Sequence, residues 1–363
     1  MKLESGGFYV YGASHYGQAL MRYLEKIDLL PLAILDRAPR FDSYCGVPVE
    51  VFGDQTFATD LPVLVTILGF AGVTESIEAK GFTHIVETLD VFAAYPESLA
   101  FLNECGVLWM QAPASSQVDD SKCERLAPLW ADAASKQLFD KMVRYRLNPS
   151  AEDYALPEQY EMYFPPKVKG LYDYPQLNVL DVGIYDGDTF AGFYHRYGEK
   201  IEKYTGVEIC VSNVEKLKTR LKNMSLPEDF IDVERVAVGL PANAALVVKE
   251  NASASTVEVV FDGQIESEHT VEAADLGELM NRVQCNILKM DIEGADYDAL
   301  VQAQQYISAN VPTLALSLYH RPQDLWEIPL LIEDLAPGKY DFYLRQEGHW
   351  YLETQFYAVP KSL

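Results

Sequence analysis

Four stretches of the C-terminal half hold the residues best suited to chemistry. They are Asp181-Val182-Gly183-Ile184-Tyr185-Asp186-Gly187-Asp188-Thr189, Gly206-Val207-Glu208, Lys289-Met290-Asp291-Ile292-Glu293-Gly294-Ala295-Asp296, and Leu318-Tyr319-His320. In the first, an apolar strand runs into a glycine turn and then a helix. Gly183 and Gly187 let the backbone approach a ligand closely. A helix starting at Asp188 or Thr189 offers a cap and free N–H groups. Pyrophosphate is a poor fit, because Asp181, Asp186 and Asp188 would repel it. Carboxylates suit a cationic ligand instead. S-adenosylmethionine carries a sulfonium and an ammonium, and its carboxylate can use the helix N-terminal donors.

Glu208 ends the next strand, where an acidic residue can accept both hydroxyls of a ribose. Further on, the strand from Ile287 delivers Lys289, Asp291 and Glu293 on one alternating face. They stand at its C-terminal end, where open α/β sheets bind ligands. The plainer alternative is that Lys289 pairs with Asp291 or Glu293 and only satisfies a strand end. His320 follows the buried strand Thr313–Leu318 and titrates near neutral pH, so it is the leading candidate for a general base. The alternatives are a histidine bonded to a carboxylate or carbonyl for structure, a substrate contact, or Asp291 as the base. Asp291, Glu293, Asp296 and Asp324 are hard oxygen ligands of the kind Mg²⁺ takes, but a metal-free acidic strand end is favoured.

These residues need elements to position them. Strand and helix patterns alternate through both halves of the chain, which predicts parallel sheets. In the second half, strands are expected at Asn178–Val182, Lys203–Val207, Asp232–Val238, Ala245–Val248, Val257–Val260, Cys285–Met290, Thr313–Leu318, Asp341–Leu344 and Gln355–Val359. Helices fit Thr189–Tyr197, Ser212–Met224, Ala274–Asn281, Asp296–Ser308 and Leu325–Leu335. The first half opens with the strand Phe8–Tyr11 and the turn Gly12-Ala13-Ser14-His15-Tyr16-Gly17. A second strand there ends at Asp36, a third covers Pro62–Leu68, and a helix is expected near Ala71–Ala79. Between the halves, Leu126, Leu129, Trp130, Ala133, Ala134, Leu138 and Met142 form a helical stripe expected to face a core. The Pro- and Tyr-rich stretch Pro149–Pro175 reads as a connection packed across the second domain. The expected organisation is a Rossmann-like domain at 1–120, a connection at 121–170 and a second α/β domain at 171–363.

The four stretches resemble FkbM-type methyltransferases, which are S-adenosylmethionine-dependent. Ala237-Val238-Gly239, Ala273-Ala274-Asp275-Leu276, the run Leu318–Leu325 with Ile328-Pro329, and Tyr343-Leu344-Arg345 strengthen the resemblance. It covers about residues 160–363, and Lys289-Met290-Asp291-Ile292-Glu293-Gly294-Ala295 is its most specific part. One departure is Ile184-Tyr185, where many members carry small polar residues. The resemblance implies a class I methyltransferase fold, a seven-stranded and mostly parallel sheet closed by an antiparallel hairpin. It also implies O-methylation of a sugar or another small hydroxylated metabolite. Asp181 and Gly183 would then line the methionine end, with Tyr185, Gly187, Asp188 and Thr189 completing the loop. Glu208 would hold the ribose and Ala237 would lie near the adenine. Asp291 and Glu293 would face the methyl donor and acceptor. In-line transfer needs chiefly alignment of the acceptor oxygen, methyl carbon and sulfur. Tyr163, Tyr185, Tyr319 and Trp326 are aromatics that could stack on a sugar ring, or equally core residues.

The first-domain turn lacks the middle glycine of a dinucleotide fingerprint. It is left with three readings: a nucleotide or nucleotide-linked substrate, NAD for redox work, or a docking and oligomerisation module. An NAD(P)-dependent oxidoreductase is thus the alternative to a methyltransferase, and a scaffold with a decayed site is the third.

Bulk composition narrows the partners. The 363 residues carry 29 Lys and Arg against 54 Asp and Glu, a net charge of −25. Such a surface repels phosphate backbones and anionic lipid heads, so neither nucleic acid nor a membrane is an expected partner. Cys45, Cys105, Cys123, Cys210 and Cys285 are scattered and suit free thiols better than zinc or disulfides. No signal-peptide pattern opens the sequence, and its longest apolar runs are too short to span a bilayer, so a cytoplasmic location is expected. A homo-oligomer is neither required nor excluded.

Overall fold

The computed structural model describes residues 3–53, 55–67, 72–105, 118–148, 150, 152–240, 245–249, 256–260, 270–349 and 351–362. The chain divides into two compact units. One holds residues 1–119, 139–156 and 348–351, the other residues 120–138, 157–347 and 352–363. The segment 121–170 is therefore shared between the units rather than forming a body of its own.

The first unit is built on β1 (Tyr9–Tyr11), α1 (His15–Lys26), β2 (Ala33–Asp36), β3 (Ser43–Tyr44), β4 (Val47–Val51), β5 (Val63–Val65), α2 (Val73–Glu78), β6 (Ile85–Val86) and α3 (Thr88–Ala94). Its sheet runs β3-β4-β2-β1-β5-β6, parallel except where β3 meets β4. β1, β5 and the first three residues of β2 are buried throughout, which is why they read as continuous apolar runs. Part of the strand expected at Pro62–Leu68 and the start of the helix expected at Ala71 lie outside the described residues. Asp36 accepts from the backbone N–H groups of Ala13 (2.8 Å) and Ala38 (2.9 Å). Its carboxylate thus closes the glycine turn above β1.

The chain continues through α4 (Asp120–Leu126) and α5 (Ala133–Leu147), separated by a 3₁₀ turn at Ala127–Leu129. The predicted apolar stripe shifts here. Ala133 and Ala134 are exposed, whereas Ser135, Leu138, Phe139, Met142 and Tyr145 are buried. The cause is Arg345, 1% exposed, whose guanidinium needs partners inside the second unit. Asp132 and Ser135 supply them at 2.6 and 2.9 Å, turning Ser135 inward.

The second unit then adds β7 (Leu177–Val182), α6 (Asp188–Tyr197), β8 (Ile201–Val207), α7 (Val211–Asn223), β9 (Asp232–Glu234), β10 (Val236–Ala237), β11 (Ala245–Lys249), β12 (Thr256–Val260) and β13 (Thr270–Ala273). It closes with α8 (Leu276–Val283), β14 (Ile287–Met290), α9 (Asp296–Gln302), α10 (Gln304–Asn310), β15 (Thr313–Ser317), α11 (Asp324–Leu335), β16 (Tyr340–Gln346) and β17 (Thr354–Pro360). The main sheet has seven strands in the order β16-β17-β15-β14-β7-β8-β9. β15-β14-β7-β8-β9 are parallel, and β17 inserts antiparallel beside β15. A small sheet, β10-β13-β11-β12, stands apart. The single strand expected at Asp232–Val238 divides at Arg235, because its two halves serve different sheets. The helix expected at Asp296–Ser308 breaks at Ala303, where the backbone leaves helical values (φ −85°, ψ 3°).

Aromatic packing fixes the frame around the first motif. On α6, Phe190 and Phe193 are one turn apart and meet Tyr204 of β8 edge-on at 5.0 and 6.0 Å. Tyr163, Phe164 and Tyr172 from the Pro- and Tyr-rich stretch are buried in the same core.

Candidate active site

A cavity of about 580 Å³ opens in the second unit, over the C-terminal ends of β7, β8 and β14. That volume suits a small-molecule site. Its floor begins at Gly183, where β7 turns. Gly183 has φ +78°, and a Cβ there would sit 2.1 Å from the carbonyl oxygen of Asp291. Only glycine lets the ends of β7 and β14 approach this closely. Gly187 caps α6, also in the left-handed region (φ 81°), so Asp188 and Thr189 start the helix as expected.

Glu208 lies on one wall. Its Oε2 accepts from the Tyr185 backbone N–H at 3.0 Å and its Oε1 from Cys210 N–H at 2.8 Å. Burial raises its pKa and outweighs these donors. Each oxygen keeps a lone pair for a ligand hydroxyl. Tyr185, Asp188, Thr189 and Ala237 also line the cavity, as do Asp291 and Glu293.

Three expected site residues do not line it. Asp181 is wholly buried beneath the floor. Its Oδ1 is 3.0 Å from Lys289 Nζ, and its Oδ2 accepts from Tyr204 Oη at 2.7 Å. Lys289 also donates to the Gly183 carbonyl at 2.7 Å, so the pair clamps the turn from below. Burial pulls the Lys289 pKa down, but the carboxylates of Asp181 and Asp291 outweigh it and hold the ammonium charged. Lys289 thus pairs with Asp181, not with Asp291 or Glu293 as the simplest reading had it. Gly187 faces Leu217 of α7 rather than the cavity.

His320 is the third. Its Nδ1 is 2.9 Å from Asp296 Oδ2 and its Nε2 is 3.0 Å from Asp291 Oδ1. Burial would lower its pKa, yet the Asp296 charge and the Asp291 hydrogen bond raise it well above the ordinary value. An imidazolium, protonated on both ring nitrogens and flanked by two carboxylates, has no lone pair with which to take a proton. It is a cation that ties Asp291 to the Ile292–Gly294 loop, whose N–H groups Asp296 also accepts. Its stabilising charge is present below the unfolded value near 6.5 and persists until the pH passes the raised folded pKa.

Asp291 is the centre of the far wall. Tyr163 Oη donates to it at 3.1 Å and Tyr319 Oη at 3.2 Å. Burial raises its pKa, but His320, Lys289 and the Tyr163 hydroxyl outweigh this and hold it below the usual carboxylate range. A carboxylate so stabilised is a weak base. Glu353 completes this wall, 3.4 Å from Tyr319 Oη. Sequence reasoning missed it, since it belongs to no motif and reaches the cavity through the turn between β16 and β17. The wall carries unusual backbone: Tyr163, Tyr185, Glu293 and Glu353 all have positive φ (68°, 53°, 53° and 54°). Four such residues on one cavity mark a site where strain is tolerated. Trp326 is buried in α11 and is not among the lining residues. Asp324 is bound to Arg321 at 2.9 Å. Among the described residues, no group of three or more His, Cys, Asp or Glu side chains is arranged to hold a metal ion. Nor is any described helix long and apolar enough to cross a membrane. Among the described residues, Cys45, Cys123, Cys210 and Cys285 form no disulfide.

A seven-stranded sheet with an inserted antiparallel strand, and a cavity over its central strand ends, define a class I methyltransferase fold. Residues 181–347 match the model of the methyltransferase FkbM domain. The chain carries that domain and is a methyltransferase. A crystal structure of methyltransferase FkbM from Methylobacillus flagellatus KT superposes with a TM-score of 0.64 at 20% identity, covering 98% of this chain and 90% of that one. This is a shared fold over nearly the whole chain. An S-adenosylmethionine-dependent methyltransferase from Aquifex aeolicus matches at 15% identity with a TM-score of 0.27, over 66% of this chain and 98% of that one. No curated protein matches.

Proposed function

We propose that the cavity binds S-adenosylmethionine and that the protein methylates a hydroxyl oxygen of a sugar or another small hydroxylated metabolite. The observation that carries this reading is Glu208. Its carboxylate is pinned by two backbone N–H groups and faces a cavity wide enough for a nucleoside, beside the Gly183 turn. Two ribose hydroxyls are the donors such a group takes. Asp188, Asp291, Glu293, Asp298 and Glu353 also line the cavity, while Lys289, the one lining lysine among the described residues, is neutralised by Asp181. That balance favours a cationic ligand over a pyrophosphate.

When bound, S-adenosylmethionine supplies an electrophilic methyl group. The chain's own residues do the rest. Glu208 and the Gly183 turn orient the nucleoside end. Tyr163, Asp291 and Tyr319 present hydroxyls and a carboxylate on which a polyol can be held. The test is to incubate the protein with tritium-labelled S-adenosylmethionine and a panel of free monosaccharides and glycosides. Label recovered in an alkali-stable sugar ether is the expected result. Label transferred only to nitrogen or carbon acceptors offered in parallel would overturn the oxygen assignment.

A further inference from the structure

Methyl transfer to a hydroxyl requires a proton acceptor, and neither sequence-derived candidate serves. His320 is held as a cation, and Asp291 is stabilised as an anion by three donors. We infer that Glu353 is the catalytic base, taking the proton of the acceptor hydroxyl as the methyl group is transferred; this rests on the O-methylation reading.

The geometry separates Glu353 from Asp291, Glu208, Asp188 and Glu293, which line the same cavity. Glu208 is pinned by two backbone donors at the wall assigned to the ribose. Asp188 Oδ1 is occupied by the Thr189 N–H at 2.7 Å. Glu293 lies 3.9 Å from the His320 cation. Glu353 lines the same cavity and makes no ion pair among the described residues. Among the described residues its carboxylate makes only long hydrogen bonds, with Tyr319 Oη at 3.4 Å and Gln355 Nε2 at 3.5 Å. The cations nearby are already committed, Lys289 to Asp181 and His320 to Asp291 and Asp296. Tyr319 has one proton, and it lies closer to Asp291 than to Glu353. Glu353 therefore keeps lone pairs directed at the cavity with little to stabilise their charge. Its backbone adds to this, because φ +54° holds the side chain where a relaxed strand residue would not place it.

The charge balance agrees. Burial and the Asp291 carboxylate raise Glu353, while His320, Lys289 and the Tyr319 hydroxyl lower it, and the net value is about 8. A base of that strength is matched to neutral pH. The sulfonium of the donor, placed in the same cavity, favours the ionised form and so readies it. In the transfer step, the acceptor oxygen forms a bond to the methyl carbon. The carbon–sulfur bond breaks with its electron pair going to sulfur, leaving neutral S-adenosylhomocysteine. The O–H bond breaks and its proton passes to Glu353, which returns it to solvent on product release.

The test labels glutamate side-chain carboxyls with carbon-13 in the full chain, with Glu353 assigned by its loss in Glu353→Gln. In the protein alone, the Glu353 resonance should titrate near 8. Saturating S-adenosylmethionine should then shift it to the carboxylate position at pH 7. A midpoint in the ordinary glutamate range would overturn the inference. So would a carboxyl that stays protonated while the other cavity resonances respond to the cofactor. A spectrum wholly indifferent to S-adenosylmethionine would instead sink the cofactor reading, and this inference with it. With any sugar the wild type methylates, Glu353→Gln should lower kcat at saturating S-adenosylmethionine by about 10²–10⁴-fold. Glu353→Asp should recover part of that loss. A Glu353→Gln variant that keeps the wild-type kcat would contradict the choice of Glu353.

Discussion

Lys289→Ala is expected to destabilise the protein by about 3–5 kcal/mol, the cost of leaving a buried charge without its partner. Asp181 is fully buried, and its remaining donor would be Tyr204. The Gly183 carbonyl would lose its ammonium donor in the same step. The loss is not a matter of charge count, so a second variant separates the causes. Replacing the pair together, as Asp181→Asn with Lys289→Met, removes both charges while keeping the volume. Such replacements are often neutral or better, and most of the stability should return. Denaturant unfolding followed by intrinsic fluorescence measures both. A Lys289→Ala variant as stable as wild type would show that the clamp under the turn carries no load.

Gly183→Ala has the second large effect, and it falls on binding as well as stability. Holding a non-glycine residue at φ +78° costs about 1–3 kcal/mol. The added methyl would meet the Asp291 carbonyl oxygen at 2.1 Å, which no rotamer relieves because the backbone fixes the Cβ position and the oxygen belongs to the main chain. The ends of β7 and β14 must separate, and Asp291 moves with them. A displacement of about 1 Å in a positioned site can cost about 10²-fold in rate. The variant should fold with a lowered unfolding midpoint and show methyl transfer reduced to that degree or more. Transfer at the wild-type rate would contradict the close approach.

The glycine turn and Glu208 were legible because each rests on local punctuation. A buried strand, a glycine and a helix start occur in sequence, and the next strand ends in an acid. The parallel sheet was legible for the same reason, since β7 and β14 are short, largely apolar strands bounded by turns. What was not legible depends on pairing across long separations. Asp181 meets Lys289 only because β7 and β14 are neighbours with those two residues in register. His320 reads as a base in isolation and becomes a cation once Asp291 and Asp296 close on it. Glu353 sits just before β17, and it reaches the site because β17 inserts antiparallel beside β15. Arg345 redirects the α5 stripe through a pairing with Asp132, more than two hundred positions away.

The most direct test is calorimetric titration of the purified protein with S-adenosylmethionine, with NADH as the control and Glu208→Ala alongside. Saturable binding of S-adenosylmethionine alone is expected. A lost hydrogen bond to a charged group costs about 1.5–3 kcal/mol, so Glu208→Ala should weaken that binding by about 10- to 150-fold. Binding of NADH alone, or S-adenosylmethionine binding untouched by Glu208→Ala, would contradict the placement of the cofactor in the cavity over β7, β8 and β14.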